Sequence, residues 1–576
     1  MNRNVTMMQF FEWHVEADGS HWKRMQELAP ELKRAGIGTL WIPPVTKGHT
    51  PEDTGYGIYD LYDLGEFDQK GSVRTKYGTK KELLDAIAIC HRLGMNVYID
   101  LVMNHKAGAD ETETFHVVEV DPNNRTEQIS EESFEIEGWT KFTFPGRGDT
   151  YSPMKWNYHH FNGTDYDNRE QRTGIFRIAD EGKQWNENVD NEFGNYDYLM
   201  FANIDYNMPE VREEMTNWGK WMIDTTRCDG FRLDAIKHIN YEFIREFVGS
   251  MINKRGQDFY IVGEFWNPEL AACQEFLDTV DYQIDLFDVS LHYKLHAAST
   301  SGSSFDLSTI FNDTLVQTHP THAVTFVDNH DSQPNEALES WIEDWFKPLA
   351  YSLILLRQDG YPCVFYGDYF GIGGEHPVPG KKDMINCMLY ARYHKSYGEQ
   401  DDYFDHPNTI GWVRKGSTDI ERSGCAVVMT NGEEGEKRMF VGEARAGQIW
   451  IDLTGNRRHH VQIEADGWAT FPVNGGSVSV WAQPEQDLTE DEVEAYYESS
   501  LPCIALPEEG VLEEGSDLLN IEPAEPIEEK TVQTQDAEQH AEQHAERDQT
   551  TEQDTEQEQG TAHEQDAAKD QNTEKA

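Results

Sequence analysis

Eight short runs with β character recur along the chain, at 5–13, 37–42, 96–102, 230–234, 259–264, 282–287, 323–327 and 362–366. Between them lie stretches with apolar residues at i, i+3 and i+4, at 22–34, 80–93, 209–225, 241–253 and 340–357. That spacing is the signature of amphipathic helices. Strands alternating with helices in this number predict an α/β protein built on a (β/α)8 TIM barrel. In such a barrel the side chains that do chemistry sit where the strands end, so the ends of the eight runs are the places to search.

Two further segments depart from the alternation. About 100 residues rich in Asp, Asn, Gly and aromatics separate the third run from the helix beginning near residue 209, far more than an ordinary βα connection. They read as a domain inserted at 104–208, overhanging the active end of a barrel formed by 1–103 and 209–399. From 400 to 483 short alternating runs broken by glycines, such as 425–429 and 477–481, read as a C-terminal antiparallel β-sandwich. The rest, 484–576, carries 29 acidic and 4 basic residues and no aromatic after Tyr497. Such a composition buries too little apolar area to offset the entropy of ordering, so an acidic, disordered tail is expected there.

Charge narrows the partners. Asp and Glu number 105 against 48 Lys and Arg, a formal net charge of −57, which repels nucleic acid and anionic membranes. The seven cysteines lack CxxC spacing, which favours buried thiols over a disulfide framework or a zinc site. No apolar signal core or spanning run is present, so the expectation is a soluble, cytoplasmic protein, monomeric, unless a leader has been removed.

The strand ends deliver a consistent set of groups. The third run ends Asp100 to His105, the fourth supplies Arg232 and Asp234, the fifth Glu264, and the seventh continues to His330 and Asp331. Arg232 lies two residues before Asp234, on the same side of an extended chain, and a guanidinium there favours the ionised carboxylate. Glu264, flanked by Phe265 and Trp266, has an apolar setting that raises its pKa. One ionised and one protonated carboxyl suit glycoside hydrolysis, with Asp234 as nucleophile and Glu264 as acid/base. A third carboxylate, Asp331, would hold hydroxyls or balance oxocarbenium charge. Taken singly, each carboxylate is equally a helix cap or surface ion pair; their conjunction at successive strand ends favours chemistry.

The stretches 100–105, 230–238, 263–266 and 326–331 resemble the four signature regions of the α-amylase family of glycoside hydrolases, over about residues 7–481. The similarity is strongest to the bacterial liquefying type and its intracellular relatives, and 55–67 and 194–200 share it. The resemblance implies Asp234 as nucleophile, Glu264 as general acid/base and Asp331 as transition-state stabiliser. It further implies Tyr56, His105, Arg232, Lys237, His238 and His330 as substrate contacts. A structural Ca2+ is implied at Asn104, Asp197, Asn203 and the backbone carbonyl of His238, with Asn203 standing where the liquefying type has Asp. One carboxylate fewer predicts a looser site. At the positions of a further metal cluster stand Asp165, Asn186, Asp205 and Asn207, two of them amides, which favours a metal-free polar patch. The expected activity is retaining endo-hydrolysis of α-1,4-glucosidic bonds in starch, glycogen or maltodextrins. The alternatives are an oligosaccharide-forming or transglycosylating relative and a non-catalytic glucan-binding protein.

Overall fold

A computed structural model describes residues 4–499 of the chain. The eight strands close into a parallel barrel in chain order: Thr6–Gln9, Ile37–Ile42, Asn96–Leu101, Gly230–Leu233, Tyr260–Gly263, Asp285–Phe287, Ala323–Phe326 and Tyr361–Phe365, the last pairing with the first. Alternation divides each strand. Met7, Trp41, Tyr98, Val262, Phe287, Val324, Phe326 and Cys363 fill the barrel, while Met8, Leu40, Ile99, Phe231 and Ile261 face the surrounding helices. Gly230 serves the narrow interior, since a Cβ there would lie 2.3 Å from the Tyr260 carbonyl and 2.7 Å from the Tyr98 ring.

The helices follow from capping as well as pattern. Lys80–Arg92 opens on a capping box between Thr79 and Glu82, and Pro209–Thr226 begins with proline in its first turn and stops at Arg227 in the left-handed region. Among helices of ten residues or more, three escape the apolar pattern: Leu270–Thr279, Val289–Ser301 and Lys382–His394. Three expected elements are much shorter than the sequence predicts, the first strand spanning Thr6–Gln9 rather than 5–13. The sixth strand starts at Asp285 because Asp281 and Tyr282 both adopt positive φ. The helix expected over 340–357 spans only Lys347–Leu355, because the Ile342 N–H is donated sideways to Asp328.

Between the third strand and the helix at Pro209, the chain forms an antiparallel sheet whose long members are Glu111–Asp121, Phe134–Lys141, Phe161–Asp167 and Arg172–Ile178. It is anchored beside the barrel mouth through Ala202–Ile204 pairing with His105–Lys106. After the barrel, six antiparallel strands and the hairpin Gly435–Phe440/Trp468–Val473 make the C-terminal sandwich. Its strand Cys425–Thr430 turns Cys425, Val427 and Met429 toward the barrel layer, and Ala426 and Val428 toward the hairpin.

The acidic tail begins later than its composition implies. Val493–Ser499 is helical, with Tyr496 at 8% and Tyr497 at 4% exposure. Tyr497 Oη donates to the carbonyls of Arg457 and His459, and accepts the Asp452 N–H at 2.8 Å. Two aromatic anchors suffice to order a segment that is otherwise acidic. The remainder of the tail lies outside the described residues, as does Cys503; the other six cysteines are buried.

Candidate active site

Strand register assembles the centre. Arg232 pairs with Asp100 on one neighbour and Val262 on the other, so Asp100, Arg232 and Glu264, two residues beyond Val262, point into the same mouth. The Arg232 guanidinium, fully buried, is their hub. Its Nη1 donates to Asp100 Oδ1 at 2.8 Å and to Asp234 Oδ1 at 2.7 Å, and its Nη2 to Glu264 Oε2. Asp234 and Glu264 are thus held by the two nitrogens of one guanidinium. Immediately after Asp234, Ala235 takes the left-handed conformation at φ 48°, and its N–H donates to Glu264 Oε2 at 3.2 Å. A strained residue is thus retained where it adds a donor to a candidate catalytic carboxyl.

One guanidinium faces four carboxyls, which sets their proton affinities. Burial pushes Asp234 up to about 6, with Arg232 opposing and Asp100 assisting. Glu264 is pushed up to about 7, again by burial first, with Arg232 lowering and the charge of Asp234 raising it. Arg232 does favour the ionised Asp234, as expected from the sequence, but burial outweighs it, and Asp234 stays the more acidic of the two groups. Nor does Phe265 supply the apolar setting of Glu264, since its ring packs on Tyr241 and Phe276 in the helix layer. Asp331 is raised well above the usual range by burial and by Glu264.

Around this hub stand the other sequence candidates. Tyr56 donates its hydroxyl to Asp100 at 2.9 Å and stacks on His330, centroids 5.1 Å apart at 11°. His330 accepts the Gln9 amide at Nδ1, 3.0 Å, leaving Nε2 facing Asp331 Oδ2 at 3.4 Å. His105 bonds the Tyr56 carbonyl at 2.8 Å. Burial lowers His105 to about 4 and His238 to about 3, and takes His330 well down, so all three act as neutral hydrogen-bonding rings. Lys237 reaches away from the carboxyls to Glu192 at 2.9 Å. Sequence reasoning did not single out Trp13, parallel to Tyr56 within 7° and to His330 within 13°, nor Trp41, whose Nε1 donates to Asp100 at 3.1 Å. Trp13 follows the first strand in Phe10–Phe11–Glu12–Trp13, so the strand-end rule applied to aromatic residues would have found it.

The oxygen donors implied for calcium meet where the inserted sheet joins the barrel. The Asn104 amide lies 3.3 Å from the Asp197 carbonyl and 3.2 Å from the His238 carbonyl. Asn203 Oδ1 is buried without a partner. Asp197, 1% exposed, accepts N–H groups of Asn162 and Asn186 and is pushed up to about 7 by burial. An orphaned amide oxygen, converging carbonyls and a carboxylate lacking a cation fit a hard divalent ion. Among the described residues no three His, Cys, Asp or Glu side chains cluster for a metal, in keeping with a donor set dominated by amides and carbonyls. The second set does not fit. The Lys183 ammonium already sits on the Asp205 carboxylate and the His159 carbonyl, Asp165 accepts the Phe201 N–H at 2.9 Å, the Asn186 amide is donated to Asp197, and Asn207 is exposed.

Two carboxyls of unequal proton affinity, bound to one guanidinium at the open end of a barrel, are the working parts of a glycoside hydrolase. The chain belongs to the alpha-amylase family of that class: residues 25–425 match "Alpha amylase, catalytic domain" and residues 426–482 match "Alpha-amylase C-terminal". It is 53% identical over 479 residues to glucan 1,4-alpha-maltohexaosidase of Bacillus sp. (strain 707), covering 83% of this chain and 92% of that protein. It is 44% identical to the cytoplasmic alpha-amylase of Escherichia coli (strain K12), covering 84% of this chain and 99% of that one. Among solved structures, the alpha-amylase of Geobacillus thermoleovorans complexed with acarbose shares the fold, with a TM-score of 0.56 at 17% identity over 84% of this chain and 98% of that chain.

Proposed function

We propose that the protein hydrolyses internal α-1,4-glucosidic bonds of starch, glycogen and maltodextrins with retention, with Asp234 as nucleophile, Glu264 as general acid/base and Asp331 as stabiliser. Protonated Glu264 gives its proton to the glycosidic oxygen as the Asp234 carboxylate bonds to the anomeric carbon and the C–O bond to the leaving sugar breaks. Glu264, now ionised, takes a proton from water, whose oxygen displaces Asp234 and regenerates both groups. The observation that carries this reading is that Asp234 and Glu264 are both bound to one guanidinium, Arg232, through its Nη1 and Nη2. Inverting enzymes keep their carboxyls roughly 6.5–9.5 Å apart to admit a water between them.

Arg232, a partner of both carboxyls, keeps the negative charge of Asp234 available while Glu264 retains its proton. Tyr56, carrying Trp13 beside it, offers a flat face to a sugar's C–H surface. His330, with its proton on Nε2, donates to hydroxyls at the cleaved unit, His105 borders the same unit, and Lys237 and His238 line the leaving-group side. Calcium, held by Asn104, Asp197, Asn203 and the His238 carbonyl, would tie the inserted sheet to the barrel as a structural ion. The division into barrel, inserted domain at 104–208, sandwich from 400 and acidic tail belongs to the same reading, the tail starting past 499. Sites of action in the cytoplasm are supported by the E. coli relative's name; among the described residues no helix is long and apolar enough to cross a membrane. A monomer suffices for the reaction, since every proposed catalytic group comes from one chain.

Soluble starch is the test substrate. Rapid shortening with α-configured products is expected, and Glu264→Gln should slow it by about 10²–10⁴-fold; β-configured products or an unaffected variant would refute the assignment. The maltohexaosidase relative supports a second reading, an oligosaccharide-forming enzyme, which a single dominant short product early in the time course would establish.

A further inference from the structure

The turn that follows the seventh strand presents His330 and Asp331 to the mouth, and it is braced from behind by a buried charge group that no substrate reaches. Asp328, 2% exposed, accepts the Ser332 hydroxyl on Oδ1 at 2.7 Å and the Ile342 N–H on Oδ2 at 3.2 Å. Oδ2 also takes the ammonium of Lys347, which is fully buried beneath the Trp341 ring, 3.4 Å from its centroid. The same ammonium donates to Asp368 Oδ2 at 2.9 Å, where the Tyr351 hydroxyl joins it at 2.7 Å. On the active-site side, Ser332 Oγ accepts the Asn329 N–H at 3.0 Å, and Asn329 Oδ1 accepts the N–H groups of Asp331 at 2.9 Å and Ser332 at 2.8 Å. A continuous path of hydrogen bonds therefore runs from Lys347 through Asp328, Ser332 and Asn329 to the backbone of Asp331.

Two carboxylates and an ammonium in a dry core are a poor investment in stability, because desolvation offsets most of the attraction and apolar residues of similar volume often serve as well. Such groups do supply direction: each bond in the path fixes an angle of the 328–332 turn. We propose that Lys347, Asp328 and Ser332 form a positioning relay that sets the Asp331 carboxylate against Asp234 and Glu264. The inference rests on the assignment of Asp331 as stabiliser. A displacement of about 1 Å at a reacting group costs about 10²-fold in rate, so a loosened turn reads out as turnover while leaving distant sugar contacts intact.

The experiment uses the full chain with Ser332→Ala, Ser332→Thr, Asp331→Asn and the double variant Asp331→Asn/Ser332→Ala, each checked for cooperative unfolding and assayed on soluble starch. Ser332→Ala is expected to lower kcat about 10- to 100-fold with KM within about twofold, and Ser332→Thr, which keeps the hydroxyl, to recover most of it. In the Asp331→Asn background the Ser332→Ala change is expected to have little further effect, since the relay acts through Asp331. Unchanged kcat in folded Ser332→Ala, or a loss that multiplies in full in the double variant, overturns the relay. Unchanged kcat in Asp331→Asn alone would instead overturn the stabiliser assignment on which it rests. For a purely structural Ser332 the unfolding temperature would fall and kcat would not.

Discussion

At the scale of single residues, the centre is governed by too few positive charges for its carboxyls. Asp234 must be ionised to attack and Glu264 protonated to donate, and their pKa values of about 6 and about 7 place the productive state between them. The profile of kcat/KM against pH should therefore be a bell with its maximum between about 6 and about 7, its two limbs belonging to the coupled pair. Stability carries the opposite mark of the same burial. Glu264 is raised from its ordinary 4.5 to about 7 in the folded protein, so its contribution is present below pH 4.5 and is lost as pH rises through 7. A glutamine does not titrate. Glu264→Gln should thus gain about 1–3 kcal/mol on the parent between pH 5 and pH 8, read by denaturant unfolding at each pH; a gap independent of pH would contradict the raised pKa.

Elements show where local pattern yields to long-range partners. Helices with strong apolar spacing were legible, whereas Val289–Ser301 was missed because Ser, His, Lys and Thr interrupt its apolar positions, and Lys347–Leu355 was misplaced because it is apolar and buried on nearly all faces. The strand ends were legible because a two-residue period fixes which side chains share a face, as with Arg232 and Asp234. The segment 484–499 was not, since its order depends on Tyr497 reaching backbone more than 35 residues away. Removing that ring is expected to cost about 3–5 kcal/mol in Tyr497→Ala. A chain ending at 483 should unfold several degrees below one ending at 499, and equal melting temperatures would show that this helix contributes nothing.

For the whole molecule, the proposed calcium ion joins two bodies: His238 belongs to the barrel mouth, and Asn104, Asp197 and Asn203 to the inserted segment. A ligand that binds only the folded state adds about 2.7 kcal/mol at 100 times its Kd. Calorimetric titration after chelation should give one tight equivalent per chain, because Lys183 already neutralises Asp205. Asn203→Asp should tighten that equivalent about tenfold by restoring a carboxylate; no heat of binding, or weaker binding in the variant, would remove the site.

The amino-acid order by itself determined the barrel, the inserted segment, the sandwich and the strand ends that hold Asp234, Glu264 and Asp331, because periodicity and strand-end position are local properties of a chain. Tertiary structure alone decided that Arg232 is shared by Asp100, Asp234 and Glu264, that Trp13 stands beside Tyr56, and that Lys347 braces the Asp331 turn through Asp328, 19 residues away. Proton affinities and rigid placement arise from which charges are buried together, and burial is a property of the folded whole.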